Sequence, residues 1–451
     1  MLYLQIQSKI LLQKVRLLFF VFSIFLTFNM VPANASGESK KLTLEECISI
    51  ALKEHPSAKI AFQNMKAAES RVGMAKATTL PSVELSASYT NSSFPQTDSG
   101  SASVISHTGT TQAALKQNLI DFGKRDDKIK EKQKNFEALR AELNVVYNDV
   151  VFNVIQAYYG VLAAKEIVYV NKETVLQFEH RLLQAQGFYE VGKRAKIEVT
   201  KAEVDLSNAR LELIKAKNNE QLAKVKLFNS IGLLEQKEFS IEEKRPATPL
   251  LPEFSQIIQQ GSNNHPEAIK AKWQRKAQEA VLDANKKEFF PEISGTLGYG
   301  WRNNWFPPES PLWSAGVNFT YPIYTGGLLT NQIIEARSHL EAAKANEANV
   351  KLAIRFDIEQ SYITLKEAIE RKSVAALAEK QAEENFILAE GRYAVGFGSP
   401  LEYTDARLSL TKARTTHIQS VYDAQVALAA LKKATGLLTK DFASTLNEVK
   451  P

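Results

Sequence analysis

The stretch that decides the fold is PEISGTLGYGW, residues 291–301, in which apolar residues alternate with small or polar ones. One face carries Ile293, Leu297, Tyr299 and Trp301. The same alternation recurs at 82–91, 108–119 and 312–321. A period of two over about ten residues is typical of a strand that faces lipid on one side and a polar lumen on the other. A soluble sheet with one buried face gives the same pattern, so alternation alone leaves both interpretations open.

Aromatic residues crowd this hairpin and favour the membrane interpretation. Three of the four tryptophans lie in it, and the predicted membrane girdle is Trp301, Trp305, Trp313, Tyr299 and Tyr321. Tryptophan and tyrosine concentrate at the two membrane–water interfaces, because such rings have both an apolar body and a polar edge. We therefore expect membrane-spanning β-hairpins in this chain.

Landmark residues recur at constant spacing, which indicates an internal duplication. His55-Pro56 is followed by Pro81, and His265-Pro266 is followed at the same distance by Pro291. Farther on, Gly123, Tyr158, Tyr189, Gly192 and Gly232 match Gly327, Tyr362, Tyr393, Gly396 and Gly436, each 204 residues later. The predicted organisation is a first repeat at 36–245, a proline-rich linker at 246–253 and a second repeat at 254–451.

Beyond its strands, each repeat is helical over an unusual length. No proline occurs from Gly123 to Gly192, and the equivalent segment runs from Gly327 to Gly396. At 1.5 Å per residue, such a helix reaches about 100 Å. Its apolar residues step by three and four, which predicts coiled-coil packing against a second long helix. The predicted fold class is mainly α with a membrane β part, in duplicated halves of two long antiparallel helices with a β-hairpin at one end.

The N-terminus and the composition bear on location and chemistry. Basic residues, an apolar run at 17–28 and the small-residue site Ala33-Asn34-Ala35 predict a secretory signal peptide over residues 1–35. A membrane anchor is the alternative, but the apolar run is short for a span. One cysteine and six scattered histidines exclude a disulfide framework and the common metal motifs. We expect no cofactor, no metal, no catalytic residues and no nucleic-acid partner.

Four membrane strands cannot close on themselves, because single-chain barrels begin at eight strands. An open strand edge in lipid leaves backbone groups unpaired, at a cost of several kcal/mol each. Other copies of the chain must therefore complete the barrel: two copies give eight strands and three give twelve. Long helices that continue from such a barrel predict a conduit projecting into the periplasm.

Several motifs together resemble the outer-membrane efflux proteins of the TolC family. They are the duplicated His-Pro breaks, the proline-led strands at Pro81 and Pro291, the run Tyr324-Thr325-Gly326-Gly327 and the turns at 189–192 and 393–396. The resemblance implies a homotrimer with a twelve-stranded barrel in outer-membrane lipid and a twelve-helix periplasmic tunnel. It implies an exit duct of a tripartite efflux or type I secretion system. The implied partners are a periplasmic membrane-fusion adaptor and an inner-membrane RND, ABC or MFS transporter.

Two turns close the hairpins of long helices, and the resemblance implies that they dock the adaptor. The candidate residues are Gly192, Gly396 and Tyr189. A structural account also explains the glycines, because a helix end favours glycine in the left-handed conformation. Adaptor contact is what the resemblance adds to that account.

The resemblance further implies a periplasmic mouth closed by a tyrosine and charged partners. Tyr393 fits the tyrosine and Glu198 fits an acidic partner. Gly398 stands where an arginine of that network is expected. Arg392 and Arg194 are the candidates to replace it.

Two acids near the second turn allow two interpretations. Glu402 and Asp405 lie near the start of a helix, where a negative charge complements the helix dipole by about 0.3–1 kcal/mol. In a trimer, the same two residues would instead form acidic rings that concentrate cations at a narrow mouth.

A different class of protein fits part of the pattern. A soluble periplasmic coiled-coil adaptor or scaffold without a pore would account for the signal peptide and the long helices. It would not account for two hairpins with lipid-compatible faces and a cluster of tryptophans. The duct is therefore the main hypothesis, and the adaptor is its alternative.

Overall fold

The computed structural model describes residues 41–95, 103–233, 240–242 and 247–440. The signal peptide predicted over residues 1–35 lies outside the described residues, as does the start of the predicted linker. One large unit, Leu42–Lys237 with Ile241–Pro451, contains nearly all of the described structure. Of the other unit, Met1–Lys41 with Glu238–Ser240, the structure describes only Lys41 and Ser240.

Each half runs helix, helix, β-hairpin, long helix, return helix. The helices are α1 (Leu44–Glu54), α2 (Pro56–Ala77), α3 (Lys124–Glu190), α4 (Lys196–Ile231), α5 (Phe254–Asn264), α6 (Pro266–Lys287), α7 (Leu328–Ala394) and α8 (Pro400–Ala434). The strands are β1 (Lys41–Leu42), β2 (Ser82–Pro95), β3 (Ser103–Ile120), β4 (Ser240–Ile241), β5 (Glu292–Asn303) and β6 (Ser310–Thr320). A short 3-10 helix, Leu438–Lys440, follows α8.

The four long strands form one antiparallel sheet in the order β2-β3-β5-β6. Its central contact joins the two repeats, with Thr111 opposite Trp301 and Leu115 opposite Leu297. Within the described ranges, β2 and β6 each have a neighbour on one side only, so the sheet has two open edges. Apolar side chains such as Leu85 and Phe319 are exposed along it. Among the residues that the structure describes, no layer covers the exposed apolar side chains of this sheet.

A His-Pro pair separates the first two helices of each repeat. The residue before a proline is excluded from helical backbone, so the chain must break there. Nδ1 of His55 accepts a hydrogen bond from the amide of Ser57, and Nδ1 of His265 accepts one from Glu267, both at 3.2 Å. Both histidines therefore lie at helix ends, as the sequence spacing predicts.

The long helices α3 and α7 contain 67 residues each and organise the packing. Beside the strands, the lateral order is α2, α3, α6, α7; towards the turns it is α4, α3, α8, α7. The inner helix α3 is covered on both sides and buries Val151, Val154 and Phe178 almost completely. By contrast, α7 and the pair α2 and α4 form the two lateral edges.

Both edges carry apolar side chains that the described part of the protomer leaves exposed. On α7, the residues that are more than half exposed include Leu352, Phe356, Ile363, Val374, Leu377 and Leu388. On α4, they include Ile197, Val204, Leu211 and Ile214. An apolar stripe of this length on a surface marks a contact with another molecule. No helix in the described residues is both long enough and apolar enough to cross a membrane.

Candidate functional site at the helical tip

The candidate site is the tip of the two long-helix hairpins, where α3 turns into α4 and α7 turns into α8. Gly192 (φ 75°) and Gly396 (φ 87°) adopt left-handed backbone in these turns, which glycine tolerates without the Cβ strain of other residues. Tyr189, just before the first turn, is about half exposed. In the second turn, Oγ of Ser399 accepts a hydrogen bond from the amide of Glu402 at 3.1 Å, which begins α8.

Each hairpin pairs its acid with an arginine from the same turn. Nη1 of Arg194 lies 3.1 Å from Oε1 of Glu198, and Nε of Arg392 lies 3.4 Å from Oε1 of Glu402. The second pair is exposed, so it contributes no more than about 1 kcal/mol. Both acids stand in the first turn of a helix, where the helix dipole favours them. Asp405 is exposed on the next part of α8.

Tyr393 is only 4% exposed. Its hydroxyl has no hydrogen-bond partner among the described residues, and neither has Oε2 of Glu198. Within one protomer, the tyrosine and the acid that the resemblance marks are therefore not joined by a hydrogen bond.

Gly398 packs so tightly against the end of α7 that no side chain fits there. A Cβ at this position would lie 2.8 Å from the backbone nitrogen of Tyr393 and 3.0 Å from the carbonyl carbon of Arg392. The amide of Gly398 donates to the carbonyl of Arg392 at 2.9 Å, which fixes this approach. The arginine that the resemblance implies at this position would not fit this turn without a shift of the backbone.

The ring of Tyr393 is covered by a residue that sequence reasoning missed, Arg181. Cζ of Arg181 lies 3.9 Å from the ring centroid of Tyr393 and 5.0 Å from that of Tyr403. The ring of Tyr403 also contacts those of Tyr393, at 5.7 Å, and Phe386, at 5.5 Å. Cζ of Arg407 lies 5.1 Å from the ring of Phe386. We call these five residues the tip cluster.

Burial shifts the pKa of two members of the tip cluster. Removal from water lowers the pKa of Arg407 and raises the pKa of Tyr403. The sequence does contain a signal for Arg181: it steps three residues from Phe178 and four to Ala185, both of which are buried. An arginine at a core position of a coiled-coil pattern is unusual enough to mark a specific contact.

A second group of charges joins the two repeats along α8. The guanidinium of Arg414 lies 3.3 Å from Glu173 of α3 and 2.9 Å and 3.7 Å from Glu383 and Glu379 of α7. His417 also pairs with Glu379. The inner helix α8 is thus tied to both of its neighbours by ion pairs.

Within the described part of the chain, no group of three or more histidine, cysteine, aspartate or glutamate side chains is arranged to hold a metal ion. Cys47 is buried, and burial together with the charges of Glu46 and Glu45 raises the pKa of its thiol to about 12. At neutral pH almost no thiolate exists at such a pKa, so this cysteine is unreactive.

The predicted girdle residues lie on the second hairpin and its ends. Tyr299 on β5 is opposite Trp313 on β6, and its ring contacts that of Trp301 at 5.5 Å. Trp305 lies in the connection between the strands, and Tyr321 lies directly after β6. Their side chains are between 42% and 76% exposed. The aromatic rings therefore face outward from the protomer.

Known proteins resemble this chain in sequence and in fold. The chain is 24% identical to the outer membrane efflux protein BepC of Brucella suis, over 83% of this chain and 80% of BepC. It is 24% identical to the protein CyaE of Bordetella pertussis, over 86% and 82% of the two chains. The CmeC outer membrane channel of Campylobacter jejuni has the same fold, with a TM-score of 0.76 at 20% identity over 90% of this chain and 89% of that one.

The family model for outer membrane efflux proteins matches residues 47–233 and 257–437. These two segments take in the helices and strands of both halves, so the duplicated fold class predicted from the sequence is confirmed. The predicted outer-membrane location and channel function are confirmed with it. The chain belongs to the outer membrane efflux protein family.

Proposed function

We propose that the protein is the outer-membrane exit duct of a tripartite efflux or type I secretion system. A periplasmic membrane-fusion adaptor docks at its tip, and an inner-membrane RND, ABC or MFS transporter delivers the substrate. The family match over both repeats carries this proposal. It favours the duct over a periplasmic adaptor without a pore, because the family and the fold are those of channel proteins.

The four-stranded sheet is the part that spans the membrane. The 12 residues of β5, Glu292–Asn303, make a strand about 37 Å long at about 3.4 Å per step. At the tilt of about 40° that membrane barrels have, it rises about 29 Å, close to the apolar band of about 25 Å. Trp301 and Trp305 lie near one end of this band, and Tyr321 lies near the other. Two aromatic belts at that separation match the two interfaces of a bilayer.

The open edges support assembly of three copies. On one side of the protomer lie β2 with α2 and α4, and on the other lie β6 with α7. Joining unlike edges around a three-fold axis pairs every strand and covers the apolar stripes of α7 and α4. Since each protomer contributes four strands and four helices abreast, three copies make a twelve-stranded barrel continued by a twelve-helix tunnel.

The tip is the periplasmic mouth in this proposal. The turns around Gly192, Gly396 and Tyr189 project farthest from the sheet and offer the adaptor its docking surface. The gate candidates are Tyr393, Glu198, Glu402, Asp405, Arg194 and Arg392. The partly buried Glu402 and the exposed Asp405 form rings about the three-fold axis, where they favour cations.

Two measurements test the proposed function. The protein should fractionate with the outer membrane, and a protease site inserted between residues 96 and 102 should be cleaved from outside intact cells. The purified protein should form ion-conducting channels in planar bilayers. Recovery in the periplasmic supernatant without detergent, together with no conductance, would contradict the duct and restore the adaptor hypothesis.

A further inference from the structure

Arg181 is a charged side chain inside the packed interface of the long helices. It is 4% exposed and lies on the face of α3 that also buries Phe178 and Ala185. Its Nε and Nη1 atoms have no hydrogen-bond partner among the described residues. Burying a guanidinium is unfavourable unless another interaction compensates for the lost hydration. A stabilising interaction must therefore hold Arg181 in this buried position.

Aromatic rings provide that compensation. The guanidinium carbon lies 3.9 Å from the ring centroid of Tyr393 and 5.0 Å from that of Tyr403. Both distances are within the range of about 6 Å in which a cation is attracted to the face of an aromatic ring. Because the hydroxyl of Tyr393 makes no hydrogen bond in the described part of the chain, the ring face is the group that binds the arginine.

Unpaired polar atoms concentrate at the same place. Few buried side-chain nitrogen and oxygen atoms of the described residues make neither a hydrogen bond nor an ion pair. One such atom belongs to Gln117, and all the others belong to residues at the tip: Arg181, Glu198, Tyr393 and Arg407. A closed tip keeps these atoms dry, whereas an opened tip hydrates them. The contact between Arg181 and the ring of Tyr393 favours the closed tip, whereas hydration of the unpaired polar atoms favours the open tip. Because these two contributions oppose each other, the contact can be broken when the tip opens.

We propose that Arg181 positions the second hairpin by binding the ring of Tyr393, and thereby sets the resting aperture of the periplasmic mouth. This inference rests on the proposed duct function. Arg181 belongs to α3 of the first repeat, whereas Tyr393 and Tyr403 belong to α7 and α8 of the second. This contact thus joins the second hairpin to α3 of the first repeat, and it provides the cation for which Gly398 leaves no room. Arg194 of the first repeat also lies over the ring of Tyr393, but farther away, at 5.9 Å.

The first hairpin provides a matched control. At the spacing of the duplication, Asn385 is the counterpart of Arg181, Tyr189 of Tyr393 and Val199 of Tyr403. Tyr189 is 46% exposed, and neither Asn385 nor Val199 offers a cation or a ring. The first hairpin therefore lacks the contact, and a change at the exposed Asn385 should leave the aperture unaltered.

The test is the resting conductance of the purified full-length protein in planar bilayers. We expect Arg181→Gln and Tyr393→Leu each to raise it on the order of tenfold, because a buried cation–ring contact is lost. Tyr393→Phe keeps the ring face and should stay at the wild-type value, as should Asn385→Ala at the exposed counterpart of Arg181. The double variant Arg181→Gln Tyr393→Leu should conduct no more than either single variant, because both changes break the same contact.

Two results would overturn the inference. One is a Tyr393→Phe channel that opens as widely as Tyr393→Leu, which would assign the closure to the hydroxyl. The other is Arg181→Gln with wild-type conductance and an intact oligomer. If Arg181→Gln fails to assemble, the contrast between Tyr393→Phe and Tyr393→Leu decides alone. A wild-type protein that never conducts would instead overturn the proposed duct.

Discussion

The two long-helix hairpins share a duplicated sequence but occupy different environments. Tyr189 in the first is 46% exposed, whereas its counterpart Tyr393 in the second is 4% exposed. Arg210 on α4 pairs with Glu179 on an exposed surface, whereas its counterpart Arg414 on α8 lies among acids from two helices. The cause is the lateral order, because α8 packs between α3 and α7 while α4 is an edge. Duplicated positions thus acquire different roles through their neighbours.

The largest expected effect is the loss of assembly when the exposed edge of the protomer, on α7, is changed and its interior is left intact. Phe356 and Ile363 lie on the exposed apolar stripe of α7, so changing both to aspartate should leave the protomer folded but prevent assembly. A carboxylate buried against another apolar surface costs several kcal/mol, which is enough to dissociate a trimer. Size-exclusion chromatography in detergent measures the outcome.

The control for this experiment is Thr364→Asp, which places one such carboxylate beside the stripe, where Thr364 is exposed. It should remain trimeric. Trimers formed equally by the Phe356→Asp Ile363→Asp variant would show that the edge of α7 is not an assembly surface.

A smaller effect is expected on stability when the duplicated arginines Arg414 and Arg210 lose their ion pairs. Arg414→Gln leaves Glu173, Glu379 and Glu383 without their shared cation and should destabilise the protein by about 1–3 kcal/mol. Arg210→Gln breaks one exposed pair and should cost less than about 1 kcal/mol. Thermal unfolding of the two detergent-solubilised variants measures the difference. Equal losses would mean that the lateral order does not distinguish α4 from α8.

Acid should weaken the ion pair between Asp127, at the start of α3 in the first repeat, and Lys287 of the second repeat. Burial alone would raise the pKa of Asp127, but hydrogen bonds and charges from Lys287 and Lys130, at 2.5 Å and 2.9 Å, outweigh it and hold the pKa below its usual value. A lowered folded-state pKa stabilises above the unfolded-state value of about 3.9, and this stability is lost as the pH falls through the folded-state value.

Asp127→Asn should therefore lower stability at pH 7 by on the order of 1–2 kcal/mol and reduce the loss of stability below about pH 4. Its counterpart in the second repeat is already the neutral Asn331, which donates to the carbonyl of Gly327. Asp126→Asn is the matched control, because Asp126 is exposed. Denaturant unfolding at pH 7 and at about pH 2.5 checks this, because the loss falls below the unfolded-state pKa of about 3.9. Identical pH profiles for the wild type and Asp127→Asn would refute it.

The smallest effect concerns the acids of the mouth. Changing Glu402 and Asp405 to alanine should weaken cation selectivity and block by multivalent cations, without loss of the trimer. Reversal potentials across a salt gradient measure the selectivity. Because a charge farther than about 8 Å from the ion path is screened at physiological salt, a wide mouth would show no change. Unchanged selectivity would leave only the helix-dipole account of these acids.

Local pattern was sufficient to predict the elements of the fold. The proline-free intervals after Gly123 and Gly327 predicted the long helices, and period-two alternation predicted the strands. Both signals are local, because they report which face of one element is buried. The spacing of the His-Pro breaks likewise predicted where the early helices end.

The tip cluster could not be predicted in this way. Arg181 and Tyr393 are far apart in the sequence, and their contact depends on the lateral order of α3, α7 and α8. The sequence suggested Arg194 and Arg392 as the replacing cations; each pairs with the acid of its own turn, and Arg194 also lies 5.9 Å from the ring centroid of Tyr393, farther than Arg181 at 3.9 Å. The close approach at Gly398 is also a property of the folded turn, invisible in a list of residue types.

Assembly through unlike edges is the central claim, and the molar mass of the detergent-solubilised protein tests it most directly. Multi-angle light scattering, corrected for bound detergent, should give three times the mass of the mature chain in a single species. A monodisperse monomer would contradict the account, because four strands with two open edges cannot span a membrane alone. A dimer would contradict the three-fold arrangement and leave an eight-stranded barrel as the structure to explain.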